Sequence, residues 1–302
     1  MKKIPVLDTI RFGYNFTFGH LGTIIGLIWL PMVIVTVGSY FVQMQYIGQF
    51  LASLEQGNPA AMGPAALVLL GWGLMSFLLF AMMYAAVTRQ ALGLRQGPAI
   101  IHFSFGLTEI HVVGALLGMI AIIMLFLFAE GLFGGILAGI VSVAGKGQPA
   151  VSLVVALLII LLLLALIYMV VRLGFLLIPA TVAENRVGLG RAWELAGGNF
   201  WRIVAVALAT LLPLFLVRVA AEVAIIGPAV FMQQISTLLH QAGAPAIDAA
   251  AQMRASAQRM REMSEHLPLL LVLSFLLAPL AMGLTIGPAA FAYRALTAPS
   301  ET

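Results

Sequence analysis

Charge is the property that this sequence has least of. Only 9% of its 302 residues are Asp, Glu, Lys or Arg, whereas 62% are hydrophobic. A soluble domain carries about 25% charged residues, because its surface must stay in contact with water. A chain with so few charges cannot cover a water-exposed surface of its own size, so most of its exterior must face lipid. The composition therefore predicts an integral membrane protein.

Cysteine is absent, which excludes disulfides, thiolate metal sites and cysteine nucleophiles. The five histidines do not have the H-E-x-x-H spacing of zinc enzymes, and the G-x-S-x-G nucleophile elbow is missing. We therefore expect a non-enzymatic protein without metal or cofactor. The net charge of +4 does not indicate nucleic acid as a partner, because the basic residues form no patch with interleaved aromatic residues.

Six apolar runs are long enough to cross a hydrocarbon core of about 30 Å, which takes about 20 helical residues. They are Leu21–Val42, Pro64–Ala86, Val112–Glu130, Val151–Val171, Ile203–Ile225 and Leu267–Phe291. Because the third run continues to Val143, we expect a break at Gly131, Gly134 and Gly135 and a separate short helix at Leu132–Val143. The runs predict an all-α fold, a polytopic membrane helix bundle of six spans in one domain over residues 1–302.

The basic residues are distributed unevenly between the two sides of the predicted membrane. Ten lie at the chain ends and in the second and fourth connectors, and four lie in the first, third and fifth connectors. The ten are Lys2, Lys3, Arg11, Arg89, Arg95, Arg172, Arg186, Arg191, Arg202 and Arg294, and the four are Lys146, Arg254, Arg259 and Arg261. Because cytoplasmic loops carry an excess of Lys and Arg, we expect a multi-pass protein of the cytoplasmic (inner) membrane with both ends inside.

A repeat of 91 residues runs through the sequence. His20, His111 and Arg202 precede the first, third and fifth spans at this interval, and each ends a segment that mixes aromatic and polar residues, as helices at headgroup depth do. The interval predicts three tandem helical hairpins with interfacial helices. The repeat units are about residues 1–97, 98–188 and 189–302. A pseudo-threefold bundle and an irregular bundle both fit this pattern.

Small residues four positions apart predict close helix packing, since lipid gives apolar helices little other reason to associate. The pairs are Gly22 with Gly26, Gly114 with Gly118, Ala205 with Ala209 and Gly135 with Gly139.

The third hairpin contains an extracytoplasmic insert at about residues 233–266. Helical spacing places Met253 and Met260 on one face there, and Arg254 and Arg261 on the other. We expect an amphipathic helix that lies on the membrane surface or caps the bundle; a partner-binding role is the alternative.

A candidate intramembrane charge pair lies in the fifth span. Arg218 and Glu222 are four residues apart, so a helix brings them to one face, where they can form an ion pair. A charge at the centre of a membrane helix costs about 2.5–3.5 kcal/mol on insertion scales, so the pair needs a reason. The two residues either neutralise each other as a structural pair or serve as a gate or proton-coupling site.

Arg172 follows the fourth span, and its side chain is long enough to extend its charge to the membrane interface.

The connector after the fourth span is the richest in polar and aromatic residues. The candidate lipid or ligand interface consists of Glu184, Asn185, Arg191, Trp193, Asn199, Trp201 and Arg202. A folding and anchoring role is favoured over the lipid or ligand role, because Pro179 is expected to stop the preceding helix, the tryptophans suit a membrane interface, and Glu184 can pair with Arg191.

The stretch IPATVAENRVGLGRAWELAGGNFWRI, with the closing GPAAFAYRAL, resembles a broad group of bacterial membrane proteins. This group includes the membrane domain found beside some glycerophosphodiester phosphodiesterases. The matching residues are Pro179, Ala180, Glu184, Trp193, Gly198, Asn199 and Trp201. The sequence departs from the pattern at Ala192, where serine is usual, and at Ala196-Gly197, where Thr-Arg is usual. We expect no phosphodiesterase activity, because the sequence contains no such catalytic domain.

Two functions follow from these patterns. Polar groups that gather at the inner interface favour a scaffold, an accessory subunit or a lipid-interacting factor, with membrane lipids and a membrane protein as possible partners. Internal repeats and the prolines Pro31 and Pro213 within spans favour a small-solute or lipid transporter.

Overall fold

A computed structural model describes residues 2–55, 59–95, 105–144, 149–232, 236 and 249–299. All regular structure in these ranges is helical. The helices are α1 (Val6–Gly19), α2 (Leu21–Val42), α3 (Gly48–Glu55), α4 (Pro59–Leu92), α5 (Leu107–Ala144), α6 (Pro149–Glu184), α7 (Leu189–Leu195), α8 (Phe200–Ile226) and α9 (Ala249–Thr297). A π-helical turn at Gln43–Ile47 joins α2 to α3, and residues 228–232 are also helical.

Among the described residues, six helices contain a stretch that is long and apolar enough to cross a membrane. These stretches are Leu21–Tyr46, Gly63–Leu92, Leu107–Ile136, Ile160–Glu184, Phe200–Ile226 and His266–Thr297. The chain is therefore an integral membrane protein with an all-α, polytopic helix bundle, and the six predicted spans are confirmed. Large apolar side chains on these helices, such as Leu125, Leu161 and Leu276, are more than half exposed, because they face lipid.

The predicted break in the third span is wrong. Helix α5 continues through Gly131, Gly134 and Gly135 to Ala144, so Leu132–Val143 is not a separate helix. Glycine destabilises a helix by only about 1 kcal/mol relative to alanine. A break within lipid would instead leave backbone groups unpaired at several kcal/mol each, so the continuous helix is the more stable arrangement.

The helix end expected at Pro179 is also wrong, because helix α6 runs through Pro179 to Glu184. The helical part of the insert continues through Pro268 into the sixth span as one helix, Ala249–Thr297. Neighbouring helices and local adjustments re-satisfy the backbone groups that a proline frees within a membrane bundle, so proline is a weak stop signal here. The insert residues 233–235 and 237–248, as well as His102, lie outside the described residues.

Helix α9 contacts most of the other helices. It packs against α1, α2, α4, α6 and α8, whereas α5 packs mainly against α4 and α6. The three hairpins therefore differ in their surroundings, and the bundle is irregular. The 91-residue repeat itself stays a prediction. The ammonium group of Lys2 donates a hydrogen bond to the carbonyl of Ala298, so both ends of the described chain meet at one end of the bundle. This end is called the polar end below.

Helix α1 crosses α9 at glycines. A Cβ atom added at Gly283 would lie 2.6 Å from Thr17 Oγ1, and one added at Gly13 would lie 2.5 Å from Pro288 Cγ. At Gly287 the nearest atom would be Phe16 Cδ1, at 2.9 Å. The backbones approach so closely that only glycine fits, which is the packing typical of helices in lipid.

The predicted small-residue pairs have different outcomes. A Cβ atom at Gly114 or Gly118 would lie 3.3 Å or 2.7 Å from Val187 or Leu189, so this pair packs closely, although against a connector and not against a span. A Cβ atom at Gly22 would meet no described atom within 4 Å, so the prediction of close packing at that position is wrong. Sequence spacing identifies the helix face that carries small residues, but not the element that packs against it.

We expect Gly283→Ala to destabilise the protein by about 1–3 kcal/mol, because the added methyl group overpacks the crossing of α1 and α9. Gly71→Ala is the matched control: its Cβ would meet no described atom within 4 Å, and alanine favours the helix by up to about 1 kcal/mol. Thermal unfolding of both variants in one detergent measures the difference. Equal shifts in the two variants would contradict this packing.

Candidate functional site

The end of α6 is fixed by a helix-terminating motif at Asn185. This residue has φ 48°, and the N–H of Arg186 donates to the carbonyl of Thr181 at 3.3 Å, which is the Schellman arrangement. Asparagine tolerates this left-handed conformation better than most residues. The Asn185 side chain also accepts a hydrogen bond from Thr108 Oγ1 at 2.8 Å, so it links the start of α5 to the end of α6.

Glu184 is the centre of a charged cluster. Its carboxylate lies 2.6 Å from Arg186 Nη2 and 3.0 Å from Arg191 Nε, and it accepts a hydrogen bond from Tyr293 Oη at 3.2 Å. Burial alone would lower the pKa of the Arg191 guanidinium, but the hydrogen bonds and charges of Glu184 and Glu194 raise it above its ordinary value. The predicted pair of Glu184 and Arg191 is present, and it ties α6, α7 and α9 together.

Asn199 holds the beginning of the chain. Its side chain is 1% exposed; Oδ1 accepts a hydrogen bond from the Ile4 N–H at 3.0 Å, and Nδ2 donates to the Lys2 carbonyl at 3.1 Å. Arg202 Nη1 donates to the Ile4 carbonyl at 2.7 Å. The Asn199 amide thus pairs with one backbone N–H and one backbone carbonyl of residues 2–4. The Ile4 side chain is fully buried among residues of α6, α7, α8 and α9.

The two tryptophans of the connector have different surroundings. The guanidinium of Arg172 lies 3.8 Å from the ring centroid of Trp193, and it donates to the Trp193 carbonyl at 3.3 Å and to Tyr168 Oη at 2.9 Å. Stacking and hydrogen bonds therefore join α7 to α6. Trp201 is 78% exposed and contacts Phe200 edge to face, as expected of a side chain at the membrane interface.

The seven predicted interface residues do not converge on one site. Glu184, Asn185, Arg191, Asn199 and Arg202 have partners within the protein, whereas the rings of Trp193 and Trp201 are partly or largely exposed. These contacts account for a role of the five polar residues in folding. A role in binding lipid headgroups stays a prediction. Among the described residues, no three His, Cys, Asp or Glu side chains come close enough together to hold a metal ion.

A buried ion pair was missed by the sequence analysis. Glu109 at the start of α5 has a fully buried side chain, and its Oε1 lies 2.8 Å from Arg89 Nη1 near the end of α4. The other oxygen accepts a hydrogen bond from the Gly106 N–H at 2.9 Å. The two charged residues are 20 positions apart and belong to different predicted repeat units, so spacing along one helix gave no signal. Both lie next to connectors at the polar end.

A half-open groove of about 470 Å³ runs along α9 between α8 on one side and α2 and α4 on the other. Its walls are Met32, Phe80, Tyr84, Leu211, Leu214, Phe215, Arg218, Leu273, Ser274, Leu277, Ala278, Ala281, Met282 and Thr285. Apart from one arginine and three hydroxyl groups, these walls are apolar. The 13 residues from Leu273 to Thr285 extend about 18 Å along the helix. Such a volume and lining are typical of a pocket for a small or lipid-like molecule.

The groove is closed towards the polar end. The core cluster that fills the bundle there includes Ile24, Ile28, Met83, Val87 and Ile286, all buried. These side chains belong to α2, α4 and α9, which also form the groove walls. The groove lining therefore borders this cluster, to which its residues Met32 and Met282 also belong.

The predicted pair of Arg218 and Glu222 forms at the other end of this groove. Arg218 Nε lies 2.8 Å from Glu222 Oε1, and the two side chains are 57% and 27% exposed. Arg218 is 18 residues from Phe200, the first residue of α8, which is about 27 Å along the axis. The pair therefore lies in the half of α8 that is remote from the polar end, within the apolar stretch Phe200–Ile226.

No protein-family model, no curated protein and no solved structure shows a significant match to this chain.

We expect Asn199→Ala to destabilise the protein by about 1–3 kcal/mol, since it leaves the buried Ile4 N–H without an acceptor. It should also increase hydrogen exchange in residues 2–5. Asn15, an exposed asparagine on α1, provides the control Asn15→Ala. Exchange in residues 2–5 that is the same in both variants would contradict the role given to Asn199.

The buried ion pair predicts non-additive effects. Arg89→Gln and Glu109→Gln should each destabilise the protein, and the double variant should be less destabilised than the sum of the two. We expect a coupling free energy of about 1–3 kcal/mol, as for residues in direct contact. Unfolding of the four proteins in the double-mutant cycle measures this coupling. Additive effects would mean that the two side chains do not interact.

Proposed function

We propose that this protein is a non-enzymatic, lipid-interacting protein of the cytoplasmic membrane that holds the acyl chain of a membrane lipid in the groove on α9. The observation that carries the proposal is the position of the groove. Its walls belong to four of the membrane spans, and its lining residue Phe215 is 57% exposed, so the groove is within reach of the hydrocarbon layer. Lipid tails are the molecules present there at high concentration, and an apolar groove lined by Leu214, Leu277 and Ala281 suits such a tail.

Transport is the second candidate, favoured by the groove and by the prolines Pro31, Pro213 and Pro279 within the helices that form it. A transported molecule must reach both sides of the membrane. The buried cluster around Ile28 and Ile286 separates the groove from the polar end, which supports a binding site more than a path. Transport would require these side chains to move apart.

The orientation follows from the distribution of charge. The polar end carries most of the Lys and Arg residues of the sequence, and the positive-inside rule places such an end in the cytoplasm. We infer that both termini are cytoplasmic and that the groove serves the outer leaflet. A membrane-protein partner fits the scaffold or accessory role, as does the resemblance to the membrane domains found beside glycerophosphodiester phosphodiesterases. These roles share the retention of lipid by the protein, and an experiment can test this first.

Filling the groove tests the proposal. Ala281→Trp places an indole ring within the lining, whereas Leu276→Trp places one on the lipid-facing side of the same helix, where Leu276 is 64% exposed. We expect native mass spectrometry from lipid nanodiscs to detect tightly bound lipid on the wild type and on Leu276→Trp, and much less on Ala281→Trp. Thermal unfolding identifies any misfolded variant, and Ala278→Leu provides a milder filling of the groove. Equal lipid retention in the filled and control variants would refute the proposal.

A further inference from the structure

We propose that the groove selects an anionic phospholipid from the leaflet opposite the polar end, with the lipid phosphate bound by Arg218. This inference rests on the proposed function and adds the class of lipid and the leaflet from which it comes. Two observations carry it: the depth of the groove in the membrane and the donors of the Arg218 guanidinium.

The depth of the groove matches one leaflet. The groove extends about 18 Å along α9, from Leu273 to Thr285 within the apolar stretch His266–Thr297, and half of a hydrocarbon core of about 30 Å is about 15 Å. Its closed end lies beside Tyr84 of α4, and the buried cluster begins there. An acyl chain that enters from the Arg218 end therefore fits over its length, whereas a chain from the other leaflet has no access.

The charge at the mouth of the groove determines which class of lipid headgroup can bind there. Arg218 is the charged residue of the lining, and its hydrogen bond to Glu222 uses Nε. Among the described residues, the terminal nitrogens Nη1 and Nη2 make no polar contact, and the Arg218 side chain is 57% exposed. A guanidinium presents such donors in a planar fork that matches the oxygens of a phosphate. Glu222 holds the fork at the groove but also opposes an anion through its own charge, so neutralising Glu222 should strengthen binding.

The experiment uses the full chain in nanodiscs that contain equal amounts of phosphatidylethanolamine and phosphatidylglycerol. Native mass spectrometry of the released protein gives the ratio of the two lipids that stay bound. We expect phosphatidylglycerol to be enriched on the wild type. In Arg218→Gln the enrichment should fall roughly fivefold, the effect expected for one basic residue at an anionic membrane surface. Arg11→Gln is the matched control, because Arg11 is an exposed arginine on α1, away from the groove.

Glu222→Gln separates this inference from a purely structural ion pair. If the pair only stabilises α8, removing either charge should lower thermal stability and leave the lipid ratio unchanged. If Arg218 binds phosphate, Glu222→Gln should raise the enrichment of phosphatidylglycerol while Arg218→Gln lowers it. These opposite changes in one ratio are not produced by partial unfolding, which would affect both variants alike.

The possible outcomes distinguish the two proposals. A filled groove in Ala281→Trp that removes bound lipid, together with a lipid ratio that does not respond to Arg218→Gln, would overturn the headgroup assignment and leave the lipid-binding function in place. Lipid that stays bound to Ala281→Trp as strongly as to Leu276→Trp would overturn both. A protein helix that copurifies and occupies the groove in place of lipid would also contradict both.

Discussion

A hydrocarbon layer offers no water to a polar group, so every polar group that enters it must find a partner within the protein or extend to the boundary. Two ion pairs in this bundle follow that constraint. Glu109 is fully buried and pairs with Arg89. Arg218 pairs with Glu222 one helical turn away. The helices obey the same constraint, since α5 and α6 continue through the glycines and the proline that would end helices in water.

The same constraint explains why the polar groups at the polar end are paired with one another and connect the helices there. Asn199 and Arg202 satisfy the backbone of residues 2–4, Glu184 joins three helices, and Arg172 lies against Trp193. With these groups paired, the closely packed helices α1 and α9 hold the polar half of the bundle together. The other half of α9 is less covered, and the groove lies there.

Composition and hydropathy were sufficient to predict the fold class and the six spans, because the apolar length of a span is set by membrane thickness and not by tertiary contacts. Sequence spacing also predicted the pair of Arg218 and Glu222, which depends only on the geometry of one helix. The groove was not predictable, because its walls come from α9 and three other helices, and packing decides the order of these three around α9. The pair of Arg89 and Glu109 was missed for the same reason. Asn199 was found as a candidate, but its partner, the backbone near Ile4, has no sequence signature.

The most direct test of the central claim is to locate the bound lipid chain. A phospholipid that carries a diazirine on its acyl chain can be added to nanodiscs with the full-length protein, activated by light, and mapped by mass spectrometry of the peptides. Our account predicts that labelling concentrates on groove residues such as Leu214, Leu277 and Ala281 and that an excess of unlabelled anionic phospholipid reduces it. Labelling that is spread evenly over exposed lipid-facing residues such as Leu125, Leu161 and Leu276 and is not reduced by competition would contradict the account.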